Sequence, residues 1–208
     1  MRLALLDNRD SFVWNLVHLA HQRGAHVRLF GPDGRAVHDT REGPLELAPN
    51  ASGLAALAGF APDAVLVGPG PGHPDAAPLA RAVFQRFTDR PVLGVCLGHQ
   101  VLARLHGAEI ERSAELGHGR PVQILHDGTG LFAGVAPDAT AARYHSLCAT
   151  SVRPPLRVTA RSPGGEILAV AHTSHPHHGV QFHPESLLAS CGPELMDNFL
   201  HSATTHSP

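Results

Sequence analysis

Residues 91–106 read PVLGVCLGHQVLARLH, and the fold can be predicted outward from this stretch. Val92, Leu93 and Val95 form a short apolar run that is typical of a buried parallel strand. The apolar residues that follow recur at helical spacing, so the stretch predicts a strand that turns directly into a helix. Cys96 lies at the turn.

The cysteine at this turn is flanked by Gly94 and Gly98, which gives the pattern G-x-C-x-G. Such glycines are typical of a nucleophile elbow, where the nucleophile stands on a sharp turn and a neighbouring side chain would collide with backbone. The adjoining helix N-terminus favours a thiolate and can bind a developing oxyanion. The alternative is a structural cysteine that packs as a small apolar side chain. The pattern predicts a nucleophile at Cys96 and leaves the structural role open.

The composition favours one globular domain without a basic partner surface. The chain has 208 residues and a net charge of −2, and its basic residues, 16 Arg and no Lys, are scattered, which argues against nucleic acid or an anionic membrane as a partner. No apolar run approaches the roughly 20 residues that span a bilayer. Three separated cysteines, Cys96, Cys148 and Cys191, fit a reducing compartment. We expect a cytoplasmic protein with a single domain over residues 1–203 and a frayed tail over 204–208.

The first half of the chain predicts parallel β-α-β units. Residues 3–6 form an apolar strand, a polar turn over 7–11 leads into a helix over 12–23, and residues 26–30 return as a strand. Residues 31–53 are rich in Pro, Gly, Asp and Asn and predict a surface loop.

Two turns follow strands at the sheet edge where ligands of α/β proteins gather. Asp10 and Ser11 lie in the first turn, where a capping role and a ligand contact are both open. Residues 68–72, GPGPG, follow a third strand at 64–67. They are either an ordinary turn or a rigid loop with preorganised N–H groups for an oxyanion hole. A helix over 78–87 then leads to the central strand.

Beyond Gly107, short alternating segments predict antiparallel strands added to the sheet. These segments lie at residues 108–112, 122–125, 157–161, 167–172 and 179–182. Residues 194–201 predict a closing helix. The expected fold class is therefore α/β, with a mostly parallel central sheet flanked by helices and additional antiparallel strands in the C-terminal half.

The segment 181–186, QFHPES, supplies a base for the thiol. In an extended segment residues i and i+2 point to the same side, so Glu185 can hold the imidazole of His183 while its other nitrogen faces a thiol. A Cys-His-Glu set of Cys96, His183 and Glu185 is thus available. A second cluster, His175, His177 and His178, has no supporting carboxylate or cysteine, and we predict no metal site there.

Taken together, four motifs resemble the class I (triad) glutamine amidotransferases. They are Gly68-Pro69-Gly70, Gly94-Val95-Cys96-Leu97-Gly98-His99-Gln100, Arg143-Tyr144-His145-Ser146-Leu147 and Gln181-Phe182-His183-Pro184-Glu185-Ser186. The resemblance covers Leu3 to roughly Leu200. It is closest to the glutaminase subunits of anthranilate synthase and aminodeoxychorismate synthase, which also begin with a motif like residues 7–12, DNRDSF.

The resemblance implies a role for each matching residue. Cys96 attacks the side-chain amide of glutamine to give a thioester, His183 transfers the protons, and Glu185 orients His183. The remaining implied residues are the oxyanion-hole N–H groups of Gly70 and Leu97 and the glutamine-binding residues Gly70, Gln100, Ser146 and Leu147. No cofactor or metal is implied. The implied partner is a chorismate-using synthase subunit that receives the ammonia, with anthranilate synthase preferred over aminodeoxychorismate synthase.

The chain departs from the family pattern at a few positions. Arg9 stands where relatives more often have an aromatic residue. Around His118 relatives commonly carry a hydrophobic residue before the His-Gly pair and a lysine after it, whereas this chain has Gly117, Arg120 and Pro121. These departures leave open how that segment contacts glutamine or the partner.

Two other functions stay open beside that of supplying ammonia to a synthase. One is a stand-alone hydrolase of glutamine or γ-glutamyl compounds, which would act without a partner. The other is a catalytically silent regulatory subunit, which would keep only the fold, and the intact Cys96, His183 and Glu185 count against it.

Overall fold

The computed structural model describes residues 1–45, 53–115 and 119–205. Its strands, in chain order, are β1 (Arg2–Leu6), β2 (His26–Phe30), β3 (Ala36–Asp39), β4 (Gly43–Pro44), β5 (Ala64–Val67), β6 (Val92–Val95), β7 (Glu109–Arg112), β8 (Arg120–Gln123), β9 (Leu125–His126), β10 (Thr140–Arg143), β11 (Leu147–Thr150), β12 (Leu156–Arg161), β13 (Ile167–His172) and β14 (His177–Val180). The helices are α1 (Val13–Gln22), α2 (Gly53–Gly59), α3 (Pro78–Arg86), α4 (Leu97–Leu105) and α5 (Gly192–Thr205), with 3₁₀ turns at Pro74–Ala76 and Gly130–Phe132.

Ten of these strands form one sheet in the order β4-β3-β2-β1-β5-β6-β14-β13-β12-β9. The five central strands, from β2 to β14, run parallel, and antiparallel strands extend both edges. The expected fold class is therefore confirmed. The carboxyl ends of the parallel strands share one edge of the sheet, which is where side chains from distant parts of the chain can meet.

Both faces of the sheet are covered by apolar side chains. Along β1, Leu3 and Leu5 belong to one buried cluster with residues of α1 and α5, whereas Ala4 and Leu6 belong to the other with residues of α2, α3 and α4. Alternate residues of a strand point to opposite faces, so a strand that is apolar throughout must be buried on both sides. The result is a three-layer arrangement that fixes the ends of β6 and β14.

The prediction of a surface loop over residues 31–53 is wrong for part of that range. Strands β3 and β4 lie within it and pair antiparallel outside β2. Asp39 on β3 is fully buried, where it accepts hydrogen bonds from Arg28 Nε at 2.8 Å and from His26 Nε2 at 2.7 Å. Burial raises the pKa of this carboxyl, but the hydrogen bonds outweigh burial and lower the pKa to about 2. Ion pairing rather than apolar periodicity holds this edge.

The second half differs from the prediction in strand placement. The segments at 167–172 and 157–161 do extend the sheet, as β13 and β12. By contrast, β7 pairs with β11 and β8 pairs with β10, so these strands form two separate ribbons. The segment predicted at 179–182 overlaps β14, which lies inside the sheet, parallel to β6 and antiparallel to β13.

The C-terminal helix is longer than predicted. Helix α5 begins at Gly192 and continues through Thr205, past His201 and into the predicted tail. Residues 206–208 of that tail lie outside the described residues. In the described parts of the chain, no helix has both the length and the apolar character needed to cross a membrane.

Two buried histidines make the fold sensitive to acid. His99 on α4 is fully buried, and burial lowers its pKa to about 4. Burial, with smaller contributions from the neighbouring His175, His172 and His106, also lowers the pKa of His177 on β14 to about 4. Each folded-state pKa lies below the ordinary value near 6.5, so the unfolded chain binds protons more readily. The unfolding free energy is therefore not reduced by these two histidines above about pH 6.5, and it falls as the pH is lowered from there toward about 4.

The change His177→Gln tests this acid sensitivity. Glutamine keeps a donor for the Phe87 carbonyl oxygen, which His177 Nε2 contacts at 2.8 Å, but it cannot titrate. We expect the loss of unfolding free energy between pH 7.5 and pH 5, measured by urea denaturation, to shrink by about 2 kcal/mol. His201→Gln on the exposed face of α5 is the control, because that imidazole faces water in both states. If His177→Gln and the unaltered protein lose the same unfolding free energy between pH 7.5 and pH 5, His177 is not a source of the acid sensitivity.

Candidate active site

Cys96 stands on the sharp turn between β6 and α4. Its backbone has φ +52° and ψ −100°, a positive-φ conformation that is strained for a residue with a side chain. A Cβ on Gly94 would collide with the backbone of Gly98, and a Cβ on Gly98 would collide with the carbonyl oxygen of Val67. The predicted need for glycine at both flanking positions is therefore confirmed in steric terms.

Adjacent parallel strands bring Cys96 and His183 together. Strands β6 and β14 pair with Val95 beside Val180, and the Cys96 N–H donates to the Val180 carbonyl oxygen at 2.9 Å. His183 follows β14 by three residues and forms a side-chain hydrogen bond with Cys96. Its Nδ1 contacts Glu185 Oε1 at 2.6 Å, which is the contact that the i, i+2 spacing predicts. The three side chains thus form one hydrogen-bonded chain.

The imidazole of His183 is held in its protonated form. Burial alone lowers the pKa of His183, but hydrogen bonds to Cys96 and Glu185 and the negative charge of Glu185 outweigh burial and raise the pKa to about 10. The Glu185 side chain is only 1% exposed, so its charge acts on the imidazole with little screening by water. The site can therefore place an imidazolium beside the sulfur of Cys96.

A pocket of about 430 Å³ opens over the sulfur atom. Its walls include the predicted residues Gly70, Cys96, Gln100, Ser146, Leu147 and His183. Glu185 lies behind His183, and Leu97 is the first residue of α4. The structure therefore brings together the residues that the sequence singles out from four separate segments.

The loop that carries Gly70 is held against the first strand turn. Asn8 Nδ2 donates to the Gly68 carbonyl oxygen at 2.8 Å. A Cβ on Gly70 would collide with the backbone of Asn8 and would lie 3.0 Å from the Leu97 side chain. The backbone of Gly70 thereby comes close to the start of α4, where the first N–H groups of a helix have no partner within the helix.

The polar turn after β1 is held by its own carboxylates and lines the pocket, and no described side chain caps the first N–H groups of α1. Asp7 Oδ1 accepts from the N–H groups of Arg9 and Asp10, and Asp10 Oδ1 accepts from the Phe12 N–H at 2.8 Å. Asp10 and Ser11 also line the pocket. The Asp10 carboxylate therefore stabilises the turn ahead of α1 while the same turn forms part of the pocket wall.

Two aromatic rings cover His183, and neither is predicted from the sequence. Phe12 stacks on Tyr144 with ring centroids 5.5 Å apart, and each ring meets the His183 imidazole edge to face, at 6.0 and 5.2 Å. Phe12 is 41% exposed, so this pair forms the rim of the pocket. The sequence offers no signal for the pairing, because the two residues are far apart in the chain.

A buried network secures the segment 143–147. Glu166 Oε2 accepts from Arg143 Nη2 at 2.8 Å, and Glu166 Oε1 contacts His145 Nε2 at 2.6 Å. Glu115 adds a second carboxylate to Arg143 at 3.1 Å. Burial raises the pKa of Glu166, but hydrogen bonds from His145, Arg143 and Ser113 outweigh it and lower the pKa to about 2. The network fixes the strand end that presents Ser146 and Leu147 to the pocket.

A second unpredicted group is the amide of Gln181, which immediately follows β14. Gln181 is fully buried, and its Nε2 lies 3.7 Å from Cys96 Sγ. The Gln100 amide nitrogen donates to Gln181 Oε1 at 3.2 Å and to the Leu147 carbonyl oxygen at 2.9 Å. A sequence signal exists here, because Gln181 stands two residues before His183 in the stretch 181–186, QFHPES.

The departures from the family pattern lie around this site. Arg9 has φ +68° and lines the pocket. Arg120 and Pro121 lie on β8, opposite Arg143 and Ala142 of β10, so they border the strand that leads into the pocket. Gly117 and His118 of the same segment lie outside the described residues.

The histidine cluster near β14 is part of the core packing. His177 begins β14 and packs on Phe84, with ring centroids 5.5 Å apart. His172 accepts from the backbone N–H groups of Ser174 and His175. Over residues 1–45, 53–115 and 119–205, no group of three His, Cys, Asp or Glu is placed to hold a metal ion.

Known proteins resemble this chain over nearly its whole length. The family model described as glutamine amidotransferase class-I matches residues 4–203. Anthranilate synthase component 2 of Halobacterium salinarum is 39% identical over 99% of this chain and 100% of its own length. Aminodeoxychorismate synthase component 2 of Escherichia coli is 38% identical over 96% of this chain and 99% of its own length.

The fold has a counterpart among solved structures. A Thermoplasma acidophilum protein described as a GMP synthase subunit superimposes with a TM-score of 0.80, over 99% of this chain and 95% of that one, at 18% identity. At that identity the likeness concerns the fold alone. Family model, sequence relatives and elbow geometry agree, and the chain belongs to the class-I glutamine amidotransferase family.

Proposed function

We propose that this chain is the glutaminase subunit of a chorismate-using synthase, hydrolysing glutamine to glutamate and ammonia with Cys96 as nucleophile. The observation that carries the proposal is the hydrogen-bonded chain from Cys96 through His183 to Glu185 at the floor of an open pocket. A thiol beside an imidazole that is oriented by a carboxylate is the arrangement needed for acyl transfer through a covalent intermediate. We treat residues 1–203 as one catalytic domain.

The chemistry follows from the proton positions. His183 takes the thiol proton, the Cys96 sulfur attacks the side-chain carbonyl carbon of glutamine, and the imidazolium of His183 gives that proton to the departing nitrogen, which leaves as ammonia. His183 then takes a proton from water, and the hydroxide attacks the thioester to release glutamate and return the thiol. Glu185 accepts the hydrogen bond from Nδ1 of His183, so that Nε2 is the nitrogen that exchanges protons with Cys96 and the substrate.

Substrate binding uses the walls of the same pocket. The backbone N–H groups of Gly70 and Leu97 would bind the negative charge on the carbonyl oxygen during attack, a contribution that costs on the order of 10²–10³ in rate when one donor is removed. The amide nitrogen of Gln100 already serves Leu147 and Gln181, so its carbonyl oxygen is the group available for the α-ammonium of glutamine. The backbone of Ser146 and Leu147 would complete the amino-acid site.

A partner is proposed because the ammonia released at this site needs an acceptor. The family model matches residues 4–203, and the pocket over Cys96 has a volume of about 430 Å³. The related proteins are named as component 2 of anthranilate synthase or of aminodeoxychorismate synthase. We propose a synthase of this kind as the partner, with anthranilate synthase preferred. All three cysteines are free thiols, which is compatible with a cytoplasmic location.

Steady-state glutamate release with and without a synthase chain tests this proposal. Free hydrolysis would waste glutamine, so we expect low activity from the isolated chain and a rise of at least about tenfold, ~1.4 kcal/mol in barrier, when the correct synthase and chorismate are added. The product, anthranilate or aminodeoxychorismate, identifies the synthase. Ammonium salts should support the synthase without this chain.

Each alternative predicts a different result in that assay. A fully active isolated chain that no synthase accelerates would favour the stand-alone hydrolase. A chain that binds a synthase without releasing glutamate, and that a glutamine-mimicking electrophile does not label at Cys96, would favour the regulatory role.

A further inference from the structure

The sulfur of Cys96 has a second hydrogen-bond donor besides His183. Gln181 Nε2 lies 3.7 Å from Cys96 Sγ, within the range of a hydrogen bond to sulfur. Gln181 and His183 lie two residues apart just after β14, and the side chains of both contact Cys96. Gln181 is fully buried, and water does not compete for its amide.

The orientation of the Gln181 amide is fixed by its other contact. Gln181 Oε1 accepts from Gln100 Nε2 at 3.2 Å, which directs the amide oxygen away from Cys96 and the amide nitrogen toward it. Gln100 is itself anchored, because the same nitrogen donates to the Leu147 carbonyl oxygen at 2.9 Å. A chain of hydrogen bonds therefore connects the Leu147 carbonyl oxygen in the pocket wall, through Gln100 and Gln181, to the sulfur of Cys96.

We propose that Gln181 is a further residue of the catalytic machinery, whose amide N–H stabilises the Cys96 thiolate and whose orientation is set by Gln100. The inference rests on the proposed function, because it makes Gln181 part of a glutaminase site. A hydrogen bond from a neutral donor to a charged acceptor is stronger than one to the neutral form, so the amide favours the thiolate over the thiol. No bond to Gln181 forms or breaks during turnover.

The pH dependence of Cys96 alkylation by iodoacetamide measures this effect without glutamine. Only the thiolate reacts, so the pH of half-maximal rate reports how strongly the site favours that form. Cys148 and Cys191 are internal references in the same digest, because burial raises the pKa of each thiol to about 11. Mass spectrometry of the Cys96 peptide separates the three sites.

The decisive variant is Gln181→Met, which keeps the side-chain length and removes the donor. We expect the half-maximal pH to rise by about one unit, a tenfold loss of thiolate at neutral pH, and kcat for glutamate release to fall by about tenfold with little change in KM. Gln85→Met on the exposed face of α3 is the matched control and should change neither value.

A second variant keeps the test open if Gln181→Met fails to fold. Gln100→Met leaves Gln181 in place and removes the group that orients its amide, so a smaller shift in the same direction is expected. An unchanged alkylation profile in a folded Gln181→Met protein, or in Gln100→Met where the first does not fold, would overturn the inference. An unaltered protein that shows the expected profile yet releases no glutamate with any synthase would instead count against the proposed function.

Discussion

Cys96→Ser is expected to abolish glutamine hydrolysis, with a loss of roughly 10⁴-fold or more in kcat while the fold is kept. The substitution is nearly isosteric, and serine can accept the same backbone strain at φ +52°. A serine hydroxyl is far less ionised than a thiol near neutral pH, so it is a much weaker nucleophile beside the same imidazole. Glutamate release in the presence of the activating synthase measures the loss.

The other two cysteines provide matched controls for this change. Cys148 and Cys191 are buried away from the pocket, and burial raises the pKa of each to about 11, so neither thiol is a competent nucleophile near neutral pH. We expect Cys148→Ser and Cys191→Ser to keep most of the activity. Substantial hydrolysis by Cys96→Ser, or its loss in Cys148→Ser, would refute the nucleophile assignment.

Residues whose geometry is set locally are the ones that the sequence predicts. The elbow is formed by β6, α4 and the two glycines around Cys96, which lie close together in the chain; only the steric need for Gly98 comes from a distant residue, Val67 on β5. The contact of His183 with Glu185 likewise joins two residues that are two positions apart, and in the structure they lie in a turn closed by the Ser186 N–H bond to the His183 carbonyl oxygen rather than in the predicted extended segment. Both features are set mainly by residues close together in the chain, so a sequence pattern is sufficient to find them.

Features that depend on tertiary packing are the ones that the sequence does not reveal. Glu166 reaches Arg143 and His145 from a different part of the chain, and Phe12 reaches Tyr144 across the pocket. In neither pairing are the residues close enough in the sequence for a spacing pattern to indicate the contact. The same reason explains β3, a polar strand that forms because β2 offers an edge and buried Asp39 finds two hydrogen-bonding partners there, Arg28 and His26.

Strand direction is the second quantity that local pattern leaves undetermined. The segment at residues 179–182 is apolar enough for a buried strand, but alternation is the same for parallel and antiparallel neighbours. In the structure β14 has one neighbour of each kind, β6 and β13. The parallel pairing matters for function, because it places the end of β14 beside the end of β6 and thereby sets His183 next to Cys96.

The pair His183 and Glu185 separates the proton carrier from the group that orients it. His183→Ala is expected to approach the Cys96→Ser defect, at roughly 10³-fold or more in kcat, because it removes the imidazole beside the sulfur that transfers the proton to the leaving nitrogen. Glu185→Gln should cost less, about 10- to 100-fold, since an amide oxygen can still accept from Nδ1.

A shift in the pH profile distinguishes an orienting Glu185 from one with a merely structural role. The negative charge of Glu185 helps to raise the pKa of His183 to about 10, so an uncharged glutamine lets that pKa fall. The imidazolium is then lost at lower pH, and we expect the alkaline limb of the kcat profile to move to lower pH in Glu185→Gln. Glu194→Gln on the exposed face of α5 is the control and should leave the limb in place. If folded Glu185→Gln were as inactive as His183→Ala, Glu185 would have to do more than orient the imidazole.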